Sequence, residues 1–247
     1  MYKTGLVSIS FRSICPEELI NKVKEAGLEY IEWGSDVHAP KDDIEKLEKI
    51  AKLQEETGIK CSSYGTYFRF MKDDPEELRG YIKAAKILGT DILRLWCGTK
   101  GSKDMTEEDI EKLYADCKKA ADIAEEYGVK LCMECHNDTL TDWKEPALDL
   151  MQKINSPAFR MYWQPNQHRT FEENVAYAKL LAPYTEHMHV FNWAGDNRYP
   201  LADGIEIWQT YLKEFSEDKY LLLEFMPDDK IETLPTEAEA LRKIITK

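Results

Sequence analysis

Residues 110–137 read IEKLYADCKKAADIAEEYGVKLCMECHN, and this one unit sets the pattern for the chain. Its first part places Ile110, Leu113 and Cys117 three and four residues apart, the spacing of one face of an amphipathic helix. Gly128 then stands just past the helical pattern, where a left-handed residue closes a helix C-terminus. The run Val129–Glu134 that follows is a strand candidate, and it ends on Glu-Cys-His-Asn rather than on another apolar residue. Gly27, Gly58 and Gly89 occupy the same place between helical pattern and strand, so the unit repeats. Working outward gives eight strand candidates: Gly5–Ser10, Tyr30–Trp33, Ile59–Tyr64, Ile92–Trp96, Val129–Glu134, Phe159–Trp163, His187–Asn192 and Tyr220–Phe225. Amphipathic segments separate them, as with Ile44, Leu47, Ile50 and Ala51.

Eight strand-then-helix units with no linker or low-complexity stretch predict an α/β fold, a single-domain (β/α)8 TIM barrel over residues 1–247. An open doubly wound sheet that binds dinucleotides carries a glycine-rich turn after its first strand, whereas this chain has FRSICPEE there. Pro16 and Pro75 mark helix starts, and Thr170 with Glu173 and Thr236 with Glu239 have capping-box spacing. The 43% hydrophobic content supplies a full core, and the 33 Lys and Arg against 46 Asp and Glu give a net charge of −13. Such a surface repels a phosphate backbone over most of its area, so nucleic acid is an unfavoured partner. No apolar run approaches the roughly 18 residues of a membrane span, and the start MYKTGLVSIS lacks a signal-peptide pattern. The expectation is no membrane association and a cytoplasmic location. The six cysteines are too dispersed for a disulfide framework and are expected as free thiols.

Barrel enzymes carry their chemistry at the C-terminal ends of the strands, so the polar residues there are the candidates. These ends hold Ser10-Phe11-Arg12, Glu32 through His38, Ser63-Tyr64-Gly65, Arg94-Leu95-Trp96, Glu134 through Asn137, Trp163 through Asn166, His187-Met188-His189 and Glu224. Strands buried on both faces normally read as continuous apolar runs, so KLCMECHN and YLLLEFMP each set a carboxylate where Val or Leu is the norm. Glu134, Gln164, His189 and Glu224 come from strands five to eight and are expected to converge on one side of the barrel mouth. Two carboxylates, an imidazole and an amide oxygen suit one divalent ion, Mn²⁺ or Mg²⁺ first, with Co²⁺ or Zn²⁺ as alternatives. His187 and His189 are assigned to opposite faces of their strand, so only one is expected inside the barrel. Cys132 and Cys135 form a C-x-x-C, but inside a strand they face opposite ways, unlike a redox motif. Trp33, Trp96, Trp163 and Trp193 also sit at or just beyond strand ends, placed either to stack on a sugar ring or to pack beneath loops.

At these positions the sequence resembles the xylose-isomerase-like TIM-barrel superfamily, the sugar phosphate isomerases and epimerases that include the tagatose 3-epimerase type. The pieces run in order over nearly the whole chain: EWGSDVHAP, YGTYFR, LRLWCG, MECHNDT, YWQPN, HMHVFNW and LLLEF. The resemblance implies a divalent metal held by Glu, Asp, His and Glu, which maps to Glu134, position 164, His189 and Glu224. Position 164 departs from that pattern, since Gln164 ligates only through its carbonyl oxygen and removes one negative charge. The family often has a histidine three residues further on, where this chain has Gln167 followed by His168.

The implied activity is sugar or sugar phosphate isomerisation or epimerisation, by metal-assisted proton transfer beside a carbonyl through an enediolate. Glu134 and Glu224 would be the catalytic pair on opposite faces of the sugar. His136, Asn137 and His168 are candidate substrate contacts, His38 would close the pocket from strand two, and Arg198 is the cationic candidate for a phosphate or carboxylate. The partner is then a small-molecule sugar or sugar phosphate, and a homodimer is the default assembly of the family. Three other readings stand beside this one: a metal-free or non-catalytic sugar-binding barrel, a lyase using the same enediolate, and an AP-endonuclease-type hydrolase. The last resembles a cluster of several metals with more His and Asp ligands and a basic DNA-binding face, against five histidines and a −13 charge here.

Overall fold

The computed structural model describes residues 2–246. Eight parallel strands close on themselves: β1 (Lys3–Val7), β2 (Tyr30–Gly34), β3 (Lys60–Arg69), β4 (Ile92–Trp96), β5 (Lys130–Glu134), β6 (Phe159–Trp163), β7 (Thr185–Val190) and β10 (Tyr220–Leu223), with β10 pairing back onto β1. The helices that alternate with them are α1 (Pro16–Glu25), α2 (Ile44–Thr57), α3 (Leu78–Ile87), α4 (Glu107–Tyr127), α5 (Lys144–Ile154), α6 (Phe171–Leu181), α7 (Ile205–Leu212) and α8 (Leu234–Ile245). A small hairpin, β8 (Trp193–Ala194) with β9 (Asn197–Arg198), projects from the loop after β7. The fold class is therefore the (β/α)8 barrel that the repeating unit predicts. Among the described residues no helix is long and apolar enough to cross a membrane.

Local chemistry sets the element ends. Gly58 and Gly128 take left-handed conformations at φ 79° and 62°, and their N–H groups close the last turns of α2 and α4. Thr170 and Glu173 form the expected capping box at α6. Thr106 and Asp109 form another at α4, with Asp in the place usually held by Glu. Thr236 caps nothing, because α8 already begins at Leu234 behind a 3-10 turn.

Side chains alternate along each strand, which splits the core in two. Outward residues such as Leu93, Leu95, Leu131, Met133, Met161, Trp163, Met188 and Leu223 pack under the helices in the larger hydrophobic cluster. Inward residues Val7, Ile92, Cys132, Tyr162 and Leu222 fill the barrel itself. Cys132 thus points inward and Cys135 joins the outer cluster, and all six cysteines are free thiols.

The same alternation corrects the reading of strand seven. Residues two apart share a face, so His187 and His189 both point into the barrel, where both pack on Tyr162 at ring distances of 5.3 and 4.5 Å. His187 is no neighbour of the helix layer. It lies one layer below His189, stacked on Tyr220 at 4.3 Å, with Nε2 3.1 Å from the Ser62 carbonyl. Burial pushes its pKa down to about 4, the Ser62 carbonyl only partly opposing this. A base held below its unfolded value of about 6.5 stabilises the fold fully above that pH, and the contribution is lost as pH falls toward 4. The expected loss from this group is roughly 3 kcal/mol between pH 7 and about 4. In melting experiments the stability deficit of His187→Gln should therefore shrink by that amount over the interval, and a deficit independent of pH would refute the assignment.

Candidate active site

The inward positions at the C-terminal end of the barrel carry a layer of charge above the apolar filling. Glu134 ends β5, Gln164 follows β6, His189 lies on β7 and Glu224 follows β10, and all four are buried. Around His189 Nδ1 stand Gln164 Oε1 at 2.8 Å, Glu224 Oε2 at 3.4 Å and Glu134 Oε1 at 3.5 Å. Glu134, His189 and Glu224 each offer a ligand atom, and these atoms all lie within 4.8 Å of one another. The chain turns sharply just after Glu224, where Phe225 takes φ 51° and donates its N–H to Ser10 Oγ at 2.9 Å. A non-glycine residue in that region is strained and persists because its surroundings hold it.

Two residues complete the layer for which the sequence reading assigned no role. Glu32 on β2 is wholly buried, with Oε2 accepting from Ser63 Oγ and Oε1 from Arg94 Nε, both at 2.8 Å. Arg94 on β4, equally buried, donates from Nη1 to Glu134 Oε2 at 2.5 Å. The available signal was period two: Glu32 shares the inward face with Tyr30, and Arg94 shares it with Ile92. Opposite charges at inward positions of nearby strands are expected to pair.

The electrostatics follow from this arrangement. Burial raises the Glu134 carboxyl, but Arg94 and then His189 outweigh it and hold Glu134 below the ordinary carboxylate range. Glu32 is held down in the same way. At Glu224 burial prevails and keeps the proton affinity above normal, with His189 and, more weakly, Arg94 opposing the rise and Glu134 reinforcing it. Burial disfavours charge on His189, yet Glu224, Glu134 and Glu32 together push its pKa up to about 10. Two carboxyl groups with proton affinities set apart form the usual layout of an acid–base pair. The cluster's charge also fits a cation: three buried carboxylates face one arginine, and with His189 neutral as a metal ligand a divalent ion would neutralise the difference. The donor set is mixed oxygen and nitrogen, suited to a divalent metal.

A cavity of about 210 Å³ opens onto this layer, with Tyr67, Trp96, Phe191, Trp193 and Phe225 as its aromatic wall and Glu134, His136, Asn137, Gln164 and Glu224 among its polar lining. Gly195 ties the hairpin down through its N–H to the Gln167 carbonyl at 2.9 Å, which sets Trp193 at the mouth. A larger cavity, about 560 Å³, lies by Tyr2, Phe215 and Ile244 near the N-terminal ends of β1 and β10, away from these acid–base groups.

The structure thus brings Glu134, Gln164, His189 and Glu224 together, with His136 and Asn137 beside them. His136 packs against Trp96 at 5.5 Å, and Asn137 accepts from Asn166 Nδ2 at 2.7 Å. Three expected substrate contacts do not reach the cavity. His38 is buried, with its ring nitrogens 3.1 Å from Ser8 Oγ and from the Ile14 carbonyl, so it fastens two loops instead. His168 is exposed on the loop before α6. Arg198 is ion-paired with Asp229 and stacks on Trp193 and Phe225 at 4.9 Å, bracing the wall from behind. Of the four strand-end tryptophans, Trp96 and Trp193 line the cavity while Trp33 and Trp163 are buried in the outer core.

Comparison with known proteins matches the xylose isomerase-like TIM barrel profile to residues 20–244. The chain belongs to this family. A sequence comparison with curated proteins finds no match. Among solved structures, a probable 3-DHS dehydratase, AsbF, involved in petrobactin synthesis in Bacillus anthracis, superposes with a TM-score of 0.82 at 21% identity, covering 98% of this chain and 99% of that one. D-psicose 3-epimerase from Clostridium cellulolyticum H10, solved with D-tagatose, gives 0.71 at 15% identity and 97% coverage of both chains. A xylose isomerase-like protein from Mycobacterium smegmatis, in complex with magnesium, gives 0.76 at 12% identity over 99% of this chain and 97% of that one. At these identities the likeness establishes the fold.

Proposed function

We propose that this family member is a metal-dependent sugar or sugar phosphate isomerase or epimerase that moves a proton on a carbon beside a carbonyl. The observation that carries the reading is the convergence of Glu134, His189 and Glu224, with Gln164, on a buried layer open to a small cavity with aromatic walls. Those four residues would hold a divalent ion, Mn²⁺ or Mg²⁺ by preference, which supplies electrostatic stabilisation of the enediolate charge as it develops. Glu134 and Glu224 act as the proton pair, one removing and the other returning the proton from the opposite side. His136 and Asn137 hold substrate hydroxyls, and Trp96 and Trp193 line the cavity against which a sugar would pack. His38, His168 and Arg198 have no part in it.

The test is a panel of ketoses and aldoses, free and phosphorylated, incubated in D₂O with protein loaded with Mn²⁺ or Mg²⁺. Deuterium entering the carbon beside the carbonyl, with an epimer or aldose–ketose isomer formed, supports the reading; no exchange with any member under any metal overturns it. A product lighter by one water marks the lyase alternative, which the likeness to the probable dehydratase brings into the panel.

Gln164 yields a separate expectation. Its Oε1 stands 2.8 Å from His189 Nδ1, so Gln164→Asp puts a carboxylate, one methylene shorter, on the same side of the cluster and should tighten divalent binding by about tenfold or more, a charged ligand adding at least 1–2 kcal/mol. Calorimetry showing no gain would remove residue 164 from the ligand set.

A further inference from the structure

We propose that Glu32 is a positioning residue for the metal ligands: it fixes which nitrogen of His189 and, through Arg94, which oxygen of Glu134 face the ion. The inference rests on the metal site proposed above. His189 is wholly buried, and its two ring nitrogens meet different surroundings. Nδ1 faces Gln164, Glu224 and Glu134, the donor set itself. Among the described residues Nε2 has no hydrogen-bond partner, and Glu32 Oε1 lies 3.7 Å from it. An imidazole that ligates through one nitrogen keeps its proton on the other, and a carboxylate beside that N–H selects the tautomer and the ring orientation.

Glu32 is unusually well fixed for this task. Ser63 holds one oxygen and Arg94 the other. The ion pair crosses from β2 to β4 over the intervening strand β3, and it passes at Gly65. A Cβ there would stand 2.7 Å from Glu32 Oε1 and 2.9 Å from Arg94 Nη2, so only glycine leaves the passage open. Arg94 then takes Glu134 Oε2, which turns Oε1 of the same carboxylate toward His189. Neither Glu32 nor Arg94 joins the cluster of ligand atoms formed by Glu134, His189 and Glu224. Their charges cancel, so this frame orients one imidazole and one carboxylate without altering the charge presented to the ion. A buried ion pair kept for stability alone has no need of an unpartnered imidazole nitrogen beside it.

The experiment uses zinc as a diamagnetic probe and reads the ¹⁵N and ¹H resonances of the histidine rings in the full chain, with His189 assigned by the signals lost in His189→Gln. In zinc-loaded wild type the proton is expected on Nε2 and the metal on Nδ1. Zinc affinity of Glu32→Gln should fall by about 10–100-fold, the usual cost of losing such a partner, while cooperative melting is retained. Zinc on Nε2, or an unchanged affinity in a folded Glu32→Gln, overturns the inference and leaves the metal site standing. A wild type that takes up no zinc overturns both. Where Glu32→Gln fails to fold, the wild-type spectrum alone decides.

Discussion

Glu134→Gln is expected to reduce proton exchange on a confirmed substrate by about 10²–10⁴-fold, the range for removing a positioned acid or base, while the protein still melts cooperatively. Gln matches Glu in size and keeps an oxygen for Arg94 Nη1, so the packing around this buried position survives. What disappears is the charge and the capacity to carry a proton on an atom 3.5 Å from His189 Nδ1. The metal content of the variant is measured alongside, since Glu134 is also a proposed ligand. Exchange within about tenfold of wild type at equal metal content would remove Glu134 from the proton path.

Arg94→Met should have the largest effect on stability. Met fills most of the arginine's volume without its charge, so Glu32 and Glu134 are left buried with only the His189 imidazole against them. Breaking a buried pair in this way typically costs about 3–5 kcal/mol. For a protein of this length that amounts to a fall in melting temperature of roughly 10–15 °C at pH 7. The pH dependence has a definite sign. Arg94 holds both carboxyls below their unfolded values, so its contribution is present above the ordinary carboxylate range and is lost as pH falls through and below it. The gap between variant and wild type should therefore narrow in acid. A gap of only a few degrees at pH 7, or one that widens as pH falls, would show that Arg94 does not carry this charge balance.

Much of the site was legible because the carboxylates broke a pattern. Glu134 and Glu224 stood out as charges in runs that read apolar on both faces, and His189 and Gln164 fell at matching strand ends. Glu32 and Arg94 were visible in the same way, as polar residues at strand ends, but nothing in a single strand told that one would reach the other over Gly65. The histidines show the limit from the other side. His38, His136 and His168 all lie beside strand ends, yet the first is tied into loops, the second borders the cavity and the third faces solvent. Arg198 was read as free for an anion, while a partner 31 residues along, Asp229, occupies it.

Local chemistry by itself determined the order of helices and strands and the glycine ends of α2 and α4. These depend on periods of 3.6 and 2 and on backbone conformations that neighbouring residues impose. The tertiary structure alone decided heights and partners. Closure of β10 onto β1 brings Ser10 to the Phe225 amide beside Glu224, and register shifts between β2 and β3 and between β6 and β7 set the level at which Glu32, Tyr162 and the two inward histidines meet. The reason is physical: a strand's pattern fixes the direction of a side chain about its own axis, whereas its position along the barrel and the charge it faces depend on strands far away in sequence.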